Sequence, residues 1–277
     1  MATTSIIIFL LAILAGVIGS MLGIGGGIVV VPALTLLMGL DMHTAVAASA
    51  VSIIATSTGA AVAYLNDRIT NTRVAMFLEI GSTLGAMSGA LIAGLINQQV
   101  LFILFGLLTA YSGISMYRAR KNELPEGVQP DALSERLALA GVYYDQVLDK
   151  TIPYNVTGTM PGLIIMYFSG AMAGLLGIGG GAFKVLAMDQ VMKMPIKVST
   201  ATSNFMIGVT AAASSAVYFV RGDIKPLVAG PVALGVLLGA FVGTRFMVRL
   251  KGSTLRLLFV PLMLYMAGQM IWKGVGL

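Results

Sequence analysis

Apolar residues dominate this chain in long runs, at about 5–22, 28–40, 43–65, 74–96, 100–117, 159–176, 182–192, 198–220, 227–250 and 255–272. Most are close to the roughly 20 residues a helix needs to cross a bilayer. Two, 28–40 and 182–192, are too short. At about 1.5 Å per residue they do not span a hydrocarbon core of roughly 30 Å. Each short run follows the same word, Gly-Ile-Gly-Gly-Gly. One segment breaks the pattern. It carries Arg118, Arg120, Lys121, Glu123, Glu126, Asp131, Glu135, Arg136, Asp145, Asp149 and Lys150, with Pro125, Pro130 and Pro153. Within it Leu133, Leu137, Ala140, Tyr144 and Leu148 recur at helical spacing, which predicts an amphipathic helix over Asp131–Lys150. The pattern therefore divides the chain into a first transmembrane repeat, 1–117, a charged insert, 118–158, and a second transmembrane repeat, 159–277.

The two flanking parts match each other. Gly23-Ile24-Gly25-Gly26-Gly27 recurs as Gly177-Ile178-Gly179-Gly180-Gly181, an offset of 154 residues. At that offset Gly16 pairs with Gly170, Ser49 with Ser203, Thr56 with Thr210 and Tyr64 with Tyr218. Gly81, Gly85, Ala86 and Gly89 meet Gly235, Gly239, Ala240 and Gly243. Glycine and alanine matches come cheaply in such a chain, but the five-residue word and the Ser, Thr and Tyr matches do not. An internal duplication, frequent in transporters, accounts for them.

Composition excludes several classes. Hydrophobic residues make up 57% and charged residues 10%, against about 25% charged in a soluble domain. With a mean hydropathy of +0.93 this is not an ordinary soluble enzyme, a disordered chain or a fibrous protein. The net charge of +6 is read as loops held inside by the positive-inside rule, and no nucleic acid is expected. There is no cysteine, so thiol chemistry and iron–sulfur clusters are excluded, and a single histidine, His43, cannot build a histidine metal site. No cofactor is expected. The first residues, Met1 to Ser5, have no basic stretch, so no cleaved signal peptide is expected.

The basic residues also bear on how the repeats are related. If each Gly-Ile-Gly-Gly-Gly segment is one full crossing, the repeats run parallel. Arg68, Arg73, Arg118, Arg120, Lys121, Arg221, Lys225 and Lys273 then oppose Lys193, Lys197, Arg249, Lys251 and Arg256. If each word is the tip of a hairpin that returns to its starting side, each half is a hairpin plus three crossings and the second half is inverted. Only Arg221, Lys225 and Lys273 then oppose the other ten. The second arrangement fits the positive-inside rule better. The expected fold is an all-α integral membrane protein of two inverted repeats, each a glycine-broken helix hairpin plus three transmembrane helices. Both termini lie outside, and the insert lies in the cytoplasm.

Three consecutive glycines do not make a stable helix interior, since each costs about 1 kcal/mol relative to alanine. In a membrane, open backbone is tolerated only when buried in protein or lining a wet cavity. Each word leads into a new short helix, whose free N–H groups suit an anion. Inversion would bring both tips towards the midplane, as discontinuous transporter helices do. Close helix packing by small residues is the plainer alternative. The words resemble those of the sulfite exporter TauE/SafE (TSUP) family, as do Pro32 and Ala201-Thr202-Ser203-Asn204. The likeness covers nearly the whole chain except the insert. It implies transport of a small sulfur oxyanion or organosulfonate, such as sulfite or sulfoacetate, across the cytoplasmic (inner) membrane.

Candidate substrate-binding residues are Gly25, Gly26, Gly27, Gly179, Gly180, Gly181, Lys184, Ser49, Ser203 and Asn204. Lys184 lies in the first turn of a short helix, where a cation opposes the dipole; a substrate anion would explain it, and snorkelling to the surface is the alternative. Ser49, Ser203 and Asn204 belong to polar stripes, Ser49-Ser52-Thr56 and Thr200-Ser203-Asn204-Thr210, whose hydroxyls either bond neighbouring helices or line the pocket. Glu79, five residues into its helix, is a proton-coupling candidate or else the partner of a cation such as Arg73 or Arg245. Asp189 and Lys193 are spaced for a helix salt bridge, and Tyr64 and Tyr218 sit at helix ends as interfacial anchors. No catalytic grouping or nucleotide-binding loop is present, so no enzyme is expected. The reading is a secondary transporter working by alternating access, possible proton coupling included. An anion channel and a non-transporting assembly factor stand as alternatives. Its partners are a small anionic substrate and membrane lipid, with a homo-oligomer left open.

Overall fold

A computed structural model describes residues 2–22, 26–118, 127–247 and 252–276. Its helices follow the apolar runs. The first half contains α1 (Ala2–Leu22), the short α2 (Gly27–Pro32), α3 (Met42–Asn66), α4 (Thr72–Ala93) and α5 (Gln98–Arg118). The second contains α7 (Thr159–Leu176), the short α8 (Gly181–Leu186), α9 (Ile196–Arg221), α10 (Pro226–Met247) and α11 (Gly252–Val275). Among the described residues, α3, α4, α5, α7, α9 and α10 contain stretches long and apolar enough to cross a membrane. Both short helices continue as a π-helical turn, Ala33–Leu37 after α2 and Ala187–Val191 after α8, again 154 residues apart. Pro32 offers no N–H at the first of these junctions, and a widened turn accommodates that. Leu186 stands at the second, so proline is not what both turns share.

The fold is organised for lipid. Met76, Ile80, Leu84 and Leu91 on α4 are exposed, while Gly81, Gly85 and Gly89 face inward. The inward glycines meet α7 backbone to backbone: a Cβ on Gly85 or Gly89 would strike the carbonyls of Tyr167 or Ala171. The contact is mutual, since Gly170 and Gly174 lie against the carbonyls of Ser82 and Ala86. The same arrangement joins α10 to α1, with Gly235 and Gly239 against the carbonyls of Phe9 and Ile13 and Gly16 against Val236. Apolar tails gain nothing by leaving lipid for another apolar surface, so membrane helices associate through such close approach. Each half thus packs its first helix against the third long helix of the other.

The chain between α7 and α9 returns to the end at which it began. Thr157, just before α7, donates its N–H to the carbonyl of Met192, just after α8 and its π turn, at 3.2 Å. Gly158 lies against Val191.

The insert departs from expectation. In place of an amphipathic helix over Asp131–Lys150 there is one short helix, α6 (Ala132–Arg136), then a hairpin of β1 (Gly141–Asp145) and β2 (Lys150–Tyr154). The strands are antiparallel, with Tyr143 opposite Ile152. The helical spacing of Leu133 to Leu148 masked a period of two. Val142 and Tyr144 are exposed, and Tyr143 and Asp145 are buried. Aromatic and β-branched residues favour that pleat, and Ala138 and Asp149, at φ 49 and 51, break the backbone on either side.

Polar contacts centred on Asp131, Asp145 and Asn71 help fasten the insert to the bundle. Asp131 caps α6 through Ser134 N–H at 2.7 Å and α7 through Thr159, whose N–H and hydroxyl donate at 2.7 and 2.8 Å. Asp145 pairs with Lys197 of α9 at 2.9 Å, with both side chains nearly inaccessible. Asn71 caps α4, donates to the Leu139 carbonyl and the Tyr154 hydroxyl, and through its own N–H reaches Thr202 of α9 at 3.0 Å. Burial works to push the Asp145 carboxyl up. The Lys197 ammonium and the N–H groups of Val147 and Leu148 outweigh it and hold the carboxyl below its ordinary value. Asp131 is likewise held low against burial by the N–H groups of Thr159 and Ser134.

A carboxyl whose pKa is lowered on folding stabilises above its ordinary titration range, and that contribution disappears as pH falls through the folded value. Acidification below the ordinary carboxyl range, about pH 4, should therefore progressively loosen the docking of the insert. Asp145→Asn should do so at neutral pH, because it leaves Lys197 buried without a counter-charge, at a cost of about 3 kcal/mol. Amide hydrogen exchange over residues 141–154 measures this; undiminished protection in D145N removes the pair from the docking.

Candidate functional site

The two glycine words meet inside the bundle. Gly23, Ile24 and the candidate Gly25 lie outside the described residues. Gly26 precedes α2 with φ 75; Gly177, Gly179 and Gly180 precede α8 with φ 64, 70 and 64. These left-handed angles are ones glycine adopts without strain. A Cβ on Gly27 would lie 2.6 Å from the Gly177 carbonyl oxygen and 2.8 Å from the Cα of Ile178. Close backbone packing, the plainer alternative in the sequence, is therefore realised at Gly27.

Helix breaks expose the last carbonyls of α1 and α7, and side chains from other helices meet them. Ser49 of α3 donates to the Gly177 carbonyl at 2.6 Å. Asn204 of α9 donates through Nδ2 to the Ser20 carbonyl at 2.8 Å. Ser203 reaches the Gly181 carbonyl at 3.4 Å, and Ser169 reaches that of Gly180 at 2.9 Å. Ser57 donates to the backbone carbonyl of Asn204 at 2.5 Å. The Asn204 Oδ1 is buried without a hydrogen bond among the described residues.

Tyr64 and Tyr218 correct their sequence reading. They are 0% and 1% exposed, so they are not interfacial anchors. The Tyr64 hydroxyl donates to the Ser20 carbonyl at 3.0 Å, and the Tyr218 hydroxyl donates to that of Gly174. Donors and acceptors are both 154 residues apart, so one capping device is used twice.

Lys184 and Glu79, treated separately in the sequence, come together. Lys184 on α8 is 0% exposed. Its Nζ lies 3.5 Å from Glu79 Oε2 on α4 and donates to the Thr210 hydroxyl on α9. Thr210 lies 2.6 Å from Glu79 Oε1, Thr83 donates to the same oxygen at 3.0 Å, and Ser82 lies 2.9 Å from Thr210. The cation does not snorkel, and the partner of Glu79 is neither Arg73 nor Arg245. Arg73 bonds the Ala138 carbonyl, and Arg245 is exposed. An apolar crevice lies elsewhere, between α1, α2 and α10, lined by Ile8, Leu11, Val30, Leu34 and Val232; its lining offers nothing to an anion.

The predicted residues thus form two clusters. Ser49, Ser203, Asn204 and the glycines gather at the crossing of the words. Lys184 and Glu79 gather around Thr210, two helical turns beyond Ser203 and so roughly 10 Å along α9. Thr210 and Ser82 were missed as site residues. Thr210 stood in the polar stripe, whereas nothing in the sequence marked Ser82 as a partner of Thr210 or Thr83 as a partner of Glu79.

The family model for the sulfite exporter TauE/SafE matches residues 8–270. The chain belongs to that family. It is accordingly a multi-pass membrane transporter of the TauE/SafE type and not an enzyme. It is similar to the probable membrane transporter protein YunE of Bacillus subtilis, 26% identical with 98% of each chain covered. It is also similar to a probable membrane transporter protein of Xylella fastidiosa, 27% identical over 94% of this chain and 93% of that one. YdhB of Bacillus subtilis, another probable membrane transporter protein, is 22% identical over 87% and 89%. No solved structure matches the chain.

The two tyrosine caps should not be equally sensitive in this TauE/SafE protein. Removing the Tyr64 hydroxyl leaves the Ser20 carbonyl with Asn204. Removing that of Tyr218 takes away the side-chain donor of Gly174, and a buried acceptor left unpaired costs about 1–3 kcal/mol. Tyr218→Phe should lower the thermal unfolding midpoint in detergent more than Tyr64→Phe; equal losses would remove Asn204 as a second cap.

Proposed function

We propose that this chain is a secondary carrier that moves a small anion, a sulfur oxyanion or organosulfonate, across the cytoplasmic membrane by alternating access. The observation that carries the reading is the wholly buried Lys184 ammonium, one turn beyond the second glycine break. A charge in that position is costly in a membrane protein and marks a pathway or a paired group. An anion arriving between α8 and α9 would meet the ammonium and the hydroxyl of Thr210. The substrate class comes from the family, whose model is named for sulfite export.

In this reading the repeats are inverted, with both termini outside and the insert cytoplasmic. Contacts at the two ends of the bundle support it. Near one end lie the insert, Asn71 of the α3–α4 connection and Lys197 at the start of α9. Near the other, Lys225 approaches Asp41, and Arg221 donates to the Ala90 carbonyl late in α4.

Two measurements test the proposal. Because the chain has no cysteine, single cysteines can be placed freely. Glu135→Cys and Lys225→Cys should be labelled by an impermeant maleimide from opposite faces, the first from the cytoplasm; labelling from one face means parallel repeats. Thermal stabilisation of the purified protein is then measured with sulfite, thiosulfate, sulfate, sulfoacetate, methanesulfonate, taurine and acetate. A ligand that binds only the folded state raises stability with its concentration. One sulfur anion should stabilise selectively, and Lys184→Gln should weaken its binding at least tenfold. Unchanged affinity in a folded K184Q takes Lys184 out of the site, and no stabilisation by any anion overturns the substrate class.

A further inference from the structure

The lysine assigned to the substrate is already occupied by a carboxylate. Lys184 faces Glu79 across 3.5 Å, with Thr210 hydrogen-bonded to both. Other charged side chains on the packed elements are engaged elsewhere. Arg73 on α4 bonds the Ala138 carbonyl, Lys197 on α9 pairs with Asp145, and Arg221 at the end of α9 pairs with Asp223. On α7 the titratable group is Tyr167, beside Ser88, and Asp189 stands more than a turn further along from Lys184. Among the described residues, the carboxylate that pairs with the Lys184 ammonium is that of Glu79. The pair bridges the two halves and occurs once: Val30 and Ala233 occupy the positions 154 residues from Lys184 and Glu79. Nothing in the shared architecture requires it.

A paired lysine and glutamate are together neutral. An anion added beside them leaves a net negative charge in a place that solvates charge poorly, and the ionised carboxylate repels it. One proton on Glu79 removes both obstacles. The carboxylate becomes a neutral acid, the Lys184–Glu79 ion pair is broken, and a Lys184–anion pair takes its place with the charge count unchanged. Thr210 touches both side chains, and its hydroxyl can turn to follow the exchange.

We propose that the anion and a proton share this site, with Glu79 taking up one proton from water when the anion displaces it from Lys184. The protein is then a proton–anion symporter, carrying one proton with each substrate ion. A monoanion moves without net charge, and a dianion carries one negative charge and responds to membrane voltage. This rests on the carrier reading above.

The test uses the full chain in proteoliposomes with methanesulfonate, a monoanion throughout, from about pH 5 to about pH 8. Anion uptake and internal pH are recorded together. Wild type should move one proton with each methanesulfonate. Its affinity should tighten about tenfold per pH unit of acidification while Glu79 is ionised in the empty site. Glu79→Gln, neutral at every pH, should lose that slope and move no proton with the anion. Anion flux without protons in wild type, or a wild-type pH slope retained by E79Q, overturns symport and leaves the carrier reading standing. The wild-type stoichiometry decides the matter even where E79Q does not fold. If neither methanesulfonate nor thiosulfate moves at any pH, the carrier reading falls and symport with it.

Discussion

The constraint on which this architecture depends is that a peptide backbone cannot leave its hydrogen bonds unmade inside a membrane. Two helices nevertheless stop within the bundle at glycine words, and each stop frees carbonyls that water cannot reach. The structure meets them with side chains from distant parts of the chain. Tyr64 and Asn204 converge on the Ser20 carbonyl, Tyr218 serves that of Gly174, and Ser49 serves that of Gly177. These bonds explain why α3 and α9 carry polar stripes in otherwise apolar helices. They also tie the breaks to the contact between the repeats, since Ser49 comes from the first half and Gly177 from the second. Hydroxyls spent on backbone carbonyls are less available to a substrate in this conformation, so pocket lining and helix capping are competing uses of the same atoms.

Against this shared framework the differences between halves become informative. Tyrosines, π turns and close-packed glycines recur at one offset because both halves solve the same backbone problem. Asn204 has Ala50 as its counterpart, so only one of the two breaks has an amide beside it. Lys184 and Glu79 have Val30 and Ala233. Duplicated architecture supplies the fold, and these polar residues have no counterpart in it.

Much of the fold was legible because lipid makes hydrophobic length a direct signal. Each apolar run became a helix, and the two short runs became the short helices after the glycine words. The words drew attention to the place where backbones cross, since three glycines together oppose a stable helix. The insert was misread because Leu133, Leu137 and Leu148 imitate a helical period, whereas Val142 to Asp145 alternate and pair with Lys150–Tyr154. The tyrosines were misread because a helix end in sequence suggests an interface, while the carbonyls they satisfy belong to other helices. The Lys184–Glu79 pair was hidden for the same reason. Each residue stood out as an intramembrane charge, but which charge meets which is fixed by packing between α4, α8 and α9.

The packing also bears on how such a molecule can move. The closest backbone contacts join α1 to α10 and α4 to α7, and each joins a helix of one repeat to a helix of the other. Sliding at these seams would drive Cα atoms into carbonyls that already leave no room for a Cβ, so close-packed surfaces of this kind resist shear. A rearrangement that keeps them intact moves α1 with α10 and α7 with α4. The rigid pieces then mix the two halves of the sequence, and the repeats are not themselves the moving units. Lys184 sits on α8, joined to α7, while Glu79 sits on α4, the zipper partner of α7. Both members of the ion pair thus ride on the same piece, whereas Thr210 is on α9. A motion between that piece and α9 would change what Thr210 can reach without separating lysine from glutamate. Such a motion leaves their separation to chemistry at the pair, which is where the proposed anion and proton would act.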